Sequence, residues 1–258
     1  MKAFALGALL VPALAWAGSP FDGTWVFKED TAKQDEKPYV LSLANGVWSN
    51  PNVVPPIKVK ADGKDQPVTG HAYYDMVVVR SLGPDSVEIT YKKGGKVTST
   101  STFTVSADGK TLTQKWTDLT GTQPVSGQFL LERVGKAPAG EQAVSGSWRA
   151  LKVVEMSAAG RTVTYQRTAD GLSMKSPTGQ SYEAKFDGKE YPIVGDPGGT
   201  MVSLKSVDAN TIVETDKRMG KIVEVDRMTV AADGKSMKFE WEETETHRKG
   251  SFVMEKSP

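Results

Sequence analysis

Cysteine is absent from the 258 residues, and histidine occurs only twice, as His71 and His247. Without thiols there is no disulfide framework, no thiolate zinc site and no cysteine nucleophile. An excess of one charge is also missing. With Lys2 set aside, the chain carries 31 basic and 31 acidic residues. That balance leaves no electrostatic footprint for nucleic acid or for an anionic lipid surface. Beyond residue 17 no segment shows the 3.6-residue period of an amphipathic helix. What is present, 24% charged and 38% hydrophobic residues, is the composition of a soluble globular protein.

The long apolar run sits at the N-terminus. Lys2 is the only charge before Asp22, residues 3–14 are apolar, and Ala15-Trp16-Ala17 has the small-residue pattern of a cleavage site. These are the parts of an export signal. Cleavage is expected after Ala17, giving a periplasmic or secreted protein with no stable membrane insertion. No cysteine follows to take a lipid anchor.

The most informative feature is an internal repeat. Shifted by 125 positions, residues 36–118 align with 161–243 without a gap. Lys60-Ala61-Asp62-Gly63-Lys64 returns as Lys185-Phe186-Asp187-Gly188-Lys189, and Ala107-Asp108-Gly109-Lys110 returns as Ala232-Asp233-Gly234-Lys235. Trp116 returns as Trp241. Phe21-Asp22-Gly23-Thr24-Trp25 opens the first copy, and Val144-Ser145-Gly146-Ser147-Trp148 opens the second. The expected organisation is a signal at 1–17, a first repeat at 18–135, a linker at 136–143 and a second repeat at 144–258.

Within a copy the period is two. In Met237-Lys238-Phe239-Glu240-Trp241-Glu242 the Met, Phe and Trp share one face and the charges share the other. Asn45-Gly46, Asp62-Gly63 and Asp108-Gly109, with their counterparts at 170, 187 and 233, supply tight turns. The pattern predicts an all-β protein: two tandem antiparallel up-and-down barrels of about seven or eight strands each. Closure removes exposed edges, though an open or flattened form would satisfy the same pattern.

Gly23-Thr24-Trp25 at the head of one repeat and Gly146-Ser147-Trp148 at the head of the other, each with a basic residue on the last strand, resemble the lipocalin (calycin) signature. More narrowly, the chain resembles a group of exported bacterial lipocalin-like proteins, here as a tandem duplication. The resemblance implies a barrel whose last strand sends a cation over the signature indole. On that basis Arg133 is expected to cover Trp25, and Lys256 to cover Trp148. One repeat is shorter than a typical lipocalin and shows no C-terminal helix.

No catalytic constellation is visible. His71 and His247 occupy non-equivalent places in the repeat, so no metal site follows from its symmetry. Neither a Gly-x-Ser-x-Gly elbow nor a phosphate loop is present, and the glycines at 195, 198 and 199 read as a plain loop. The acids Glu240, Glu242, Glu243 and Glu245 are expected on the solvated face. His71-Ala72-Tyr73-Tyr74 is the sharpest difference between copies, because Asp196-Pro197-Gly198-Gly199 stands there in the second. Loops carry function more often than scaffolds do. The expected ligand contacts are therefore His71, Tyr73 and Tyr74 at the mouth of the first barrel, with Trp116 and Trp241 inside.

The leading expectation is a non-catalytic binder of a small apolar or amphipathic molecule, with no metal and no cofactor. The alternatives are a calycin-like enzyme acting on a hydrophobic substrate, or a structural module of the cell envelope. An ionisable pair buried inside a barrel would favour the enzyme. An interior with no cavity would favour the structural module.

Overall fold

The computed structural model describes residues 18–258, so the expected export signal lies outside the described residues. Strands take 59% of it and helix 2%, which makes it all-β. The first repeat supplies β1 (Gly23–Gln34), β2 (Tyr39–Ala44), β3 (Val47–Asn50), β4 (Ile57–Lys60), β5 (Gln66–Pro67), β6 (Met76–Ser81), β7 (Ser86–Lys93), β8 (Lys96–Val105), β9 (Thr111–Asp118) and β10 (Val125–Val134). The second supplies β11 (Gly146–Met156), a single helical turn α1 (Ala158–Arg161), β12 (Thr162–Arg167), β13 (Gly171–Lys175), β14 (Ser181–Lys185), β15 (Tyr191–Pro192), β16 (Met201–Ser206), β17 (Thr211–Arg218), β18 (Lys221–Val230), β19 (Ser236–Glu243) and β20 (Arg248–Lys256).

Each copy thus has ten strands where about seven or eight were expected. The added ones are short. β5 and β15 are two residues long, too few to show a period. Residues 47–60 divide into β3 and β4 around a loop that contains Pro51, Pro55 and Pro56. Five of the six Asn-Gly and Asp-Gly turn pairs fall between strands with the glycine at positive φ, and the sixth, Asp170-Gly171, ends its turn with Gly171 as the first residue of β13.

The strands form two antiparallel, nearly closed barrel-like sheets, an architecture compatible with a calycin-like tandem barrel. One runs β4-β3-β2-β11-β10-β9-β8-β7-β6-β5, the other β14-β13-β12-β1-β20-β19-β18-β17-β16-β15. The two repeats have exchanged their first strands. β11, from the second repeat, lies between β2 and β10, while β1, from the first, lies between β12 and β20. The repeats and the barrels therefore do not coincide. The first barrel is the continuous run β2–β11, and the second is β12–β20 closed by β1.

The exchange crosses the two cores. Trp48, Val77, Val79, Ile89 and Leu112 pack with Val144 and Trp148. Phe21, Trp25 and Phe27 pack with Leu172, Leu204, Ile212, Met228 and Met237. Each fully buried side chain of this size contributes roughly 1.5–3 kcal/mol. The crossing link between β1 and β2 is pinned by Arg248 at the start of β20. Its guanidinium donates to the carbonyls of Lys37 (2.9 Å) and Pro38 (3.0 Å) and lies 3.6 Å over the Tyr39 ring.

The exchange also corrects the expected cation–indole pairs. Arg133 lies 3.9 Å from the ring of Trp148, and Lys256 lies 4.8 Å from the ring of Trp25. Each cation covers the indole of the other repeat, because the last strand of a barrel neighbours the exchanged first strand. The signature glycines leave room for them. A Cβ on Gly146 would stand 2.7 Å from Arg133 Nη1, and one on Gly23 would stand 3.4 Å from Lys256 Cδ. Both indoles donate to a carbonyl four residues back, Trp25 to Phe21 and Trp148 to Val144, each at 2.8 Å.

Candidate functional site

Two cavities lie where the barrels meet. The smaller, about 540 Å³, is shared by both. The first barrel gives it Trp116, Val125 and Phe129, and the second gives Tyr165, Phe239, Trp241, Phe252 and Met254. The crossing strands add Phe27 from β1 and Ala150 and Val153 from β11. Period-two alternation explains part of the set: Trp116 and Asp118 share a face of β9, and Phe239 and Trp241 share a face of β19.

The expected contacts Trp116 and Trp241 thus meet across one cavity rather than each standing in its own barrel. Both indoles lie on a glycine of the next strand. Gly127 is the register partner of Trp116, and Gly250 is that of Trp241. A Cβ would stand 2.9 Å from the first ring and 2.6 Å from the second. A glycine in a strand marks such close approaches. Trp116 Nε1 is buried against Gly127 and has no hydrogen-bond partner among the described residues.

The rim of this cavity is tied across the barrels. Thr122, between β9 and β10, donates from its backbone to Thr178 of the second barrel at 2.8 Å. Arg161 in α1 bridges to Glu29 in β1 at 3.1 Å.

The larger cavity, about 760 Å³, is the mouth of the first barrel covered by hairpins of the second. His71, Tyr73 and Tyr74 line it together with Tyr39, Tyr91 and Phe103. His71 stacks on Tyr74 with ring centroids 4.4 Å apart, and Tyr74 meets Tyr91 at 4.7 Å. Burial lowers the pKa of His71 below its ordinary value and pushes the Tyr91 phenol up to about 12. Tyr73 has a second task. Its ring lies against Gly198, where a Cβ would be 2.6 Å away, and under Arg218 at 5.0 Å. The aromatic loop of one copy therefore packs on the glycine loop of the other. His247 sits exposed in the β19–β20 turn.

The acids of β19 divide. Glu240 pairs with Lys238 at 2.5 Å and Glu242 is exposed, as alternation requires. Glu243 and Glu245 instead line the larger cavity.

The second barrel also holds a group the sequence reading missed. Glu214 and Asp216 on β17 lie directly opposite Asp226 and Glu224 on β18. Glu214 and Asp226 are buried. The Tyr182 hydroxyl donates to Glu214 Oε2 at 2.5 Å. Among the described residues, no Lys, Arg or His nitrogen lies within 4.0 Å of any of the four carboxylates. Burial, then the neighbouring carboxylates, raise Glu214 to about 8 and Asp216 to about 7. Asp226 and Glu224 are also held above the usual carboxylate range by burial. The equivalent rows of the first barrel are Ile89 opposite Ser101 and Tyr91 opposite Ser99. A signal existed: Ile212, Glu214 and Asp216 share one strand face, in phase with an inward apolar residue.

Among the described residues no group of three or more His, Asp or Glu has an arrangement that holds a metal ion. No protein-family model matches the chain, and no curated protein matches it in sequence.

Proposed function

We propose that the protein is an exported, lipocalin-like binding protein that holds a small apolar or amphipathic molecule in the cavity between its two barrels. One observation carries the reading: a cavity of about 540 Å³ walled by Phe27, Phe129, Phe239, Phe252 and the paired indoles Trp116 and Trp241. That volume and lining suit a small organic ligand. Export rests on Lys2, the apolar run after it and Ala15-Trp16-Ala17. The lipocalin-like reading rests on the two Gly-x-Trp signatures, each capped by a last-strand cation.

A second reading is an acid–base enzyme acting on a hydrophobic substrate. The hydrogen-bonded pair Tyr182–Glu214 inside the second barrel favours it. Binding is preferred because neither cavity is walled by Glu214 or Tyr182. A reacting bond must lie within hydrogen-bond reach of its acid or base.

The test is titration with the neutral dye N-phenyl-1-naphthylamine, followed by displacement with a panel of lipids and amphiphiles. The dye is expected to brighten and to quench tryptophan emission, and one class of the panel is expected to displace it. Absence of dye binding, or of displacement by every class, contradicts the proposal.

A further inference from the structure

We propose that the larger cavity is a second binding site, built by both barrels, for a neutral aromatic compound that carries a carbonyl group. It is independent of the smaller cavity, since the two share no wall residue. Its floor lies inside the first barrel, where Leu41, Phe103, Leu112 and Leu131 are buried. Its roof comes from the β17–β18 and β19–β20 hairpins of the second barrel. Both barrels are needed to enclose it.

Unmet donors are the first ground. Asn50 is 9% exposed, and its Oδ1 accepts from the backbone N–H of Asn52 at 3.1 Å and from Asn52 Nδ2 at 2.6 Å. Those bonds orient the amide and leave Asn50 Nδ2 without an acceptor among the described residues. The hydroxyls of Tyr74 and Tyr91 find none there either. All three residues line the cavity, and none of the three polar atoms is sealed away from it. Burial raises both phenols, Tyr91 to about 12, so each stays a neutral O–H donor at pH 7. Buried polar groups are nearly always paired, so three unmet donors on one cavity point to a ligand oxygen that accepts.

The aromatic wall is the second ground. His71, Tyr74 and Tyr91 stand in a row with centroids 4.4 and 4.7 Å apart, and Phe103 belongs to the same lining. A flat ring packs well on such a wall. The fold itself does not need these groups. Lys175, Gly199 and Asp216 occupy the places of Asn50, Tyr74 and Tyr91 in the second copy.

Charge is the third ground. The first barrel contributes no Lys, Arg, Asp or Glu to the lining, and burial keeps His71 toward its neutral form. The roof sets Arg218, Lys221 and Arg248 against Glu224, Glu243 and Glu245. Arg248 is held by two carbonyls and lies 3.6 Å from Asp35. Arg218 donates to Thr200 at 2.8 Å and offsets the charge of Glu224. A balanced roof over an uncharged floor draws neither an anion nor a cation, so the matching ligand is neutral.

The experiment is amide NMR of the isotopically labelled full chain at pH 7, titrated with three probes that share one ring: acetophenone, ethylbenzene and benzoate. Acetophenone is expected to shift the Asn50 side-chain amide and the backbone amides of residues 72–74. Read at Asn50, it is expected to bind about ten-fold tighter than ethylbenzene, with benzoate weakest. Tyr74→Phe and Tyr91→Phe remove only a hydroxyl, and each is expected to lose about three- to ten-fold of the acetophenone affinity. Thermal melts check that both variants fold. The indole N–H signals of Trp116 and Trp241 report the smaller cavity separately. Absence of a shift at Asn50, equal affinity there for ethylbenzene, or unchanged acetophenone affinity in both folded variants overturns the proposal. None of these results touches dye binding in the smaller cavity, which is scored by itself.

Discussion

Arg133 stacks on Trp148, an indole that belongs to the other repeat. The guanidinium also donates to the carbonyls of Gly109, Ala143 and Ser145 at 2.6–2.8 Å. It therefore ties the last strand of the first barrel to the exchanged strand and to the segment before it. Lys256 does the same for Trp25 with a single bond, to Pro20 at 2.9 Å. Arg133→Ala is expected to destabilise by about 2–3 kcal/mol, and Lys256→Ala by about 1 kcal/mol. Urea unfolding curves measure both. Arg133→Lys is expected to recover only part of the loss, since an ammonium cannot match three carbonyls and a ring at once.

The strand exchange sets a second expectation. A fragment covering 36–156 holds every strand of the first barrel, whereas 18–135 must recruit its own β1 in place of β11. The 36–156 fragment is expected to melt at the higher temperature. Thermal melts by circular dichroism compare them directly, and a higher melting point for 18–135 would argue against the exchange.

Gly127 and Gly250 give a third. A methyl group at either position would overlap an indole. Gly127→Ala is expected to cost about 1–3 kcal/mol and to shift tryptophan emission as Trp116 is displaced. Fluorescence spectra and denaturation of the same samples check both halves of the statement.

The buried acids make stability depend on pH. Glu214 and Asp216 titrate near 8 and 7 in the folded chain, against ordinary values of 4.5 and 3.8. The fold therefore prefers their protonated forms. Their contribution is fully present below about pH 4 and is lost as pH rises through 7–8. Glu214→Gln is expected to raise the melting temperature relative to the parent at pH 8–9 and to leave it nearly equal at pH 4.5. A melting-temperature series across that range tests the sign. A gain that is constant with pH would contradict it.

The sequence made the repeat, the period-two strands, the turns and the Gly-x-Trp openings legible. All of them are local, or depend on comparing one copy with the other. Strand exchange is neither. Alternation says that Trp25 and Trp148 point inward, but two nearly equivalent copies offer each strand two equivalent sheets to join. The Arg133–Trp148 pair was therefore expected as Arg133–Trp25. β5 and β15 escaped because two residues carry no period. The carboxylate rows of β17 and β18 escaped because the only acids weighed were those at 240–245. Glu214 lies in phase with Ile212, and the first repeat has Ile89 at its place. That phase was the available clue. The aromatic loop at 71–74 was recognised as divergent, and its difference from 196–199 proved to be one contact, Tyr73 on Gly198. No pattern in either loop alone could show that they touch.

The most direct measurement fills the shared cavity. Ala150, on the exchanged strand β11, lines it between the barrels. Ala150→Phe places a ring in the space assigned to the ligand. N-phenyl-1-naphthylamine is expected to bind the parent chain and to bind this variant about ten-fold more weakly or worse, with the melt unchanged within a few degrees. Equal dye affinity in a folded Ala150→Phe protein would show that the ligand does not lie between the barrels.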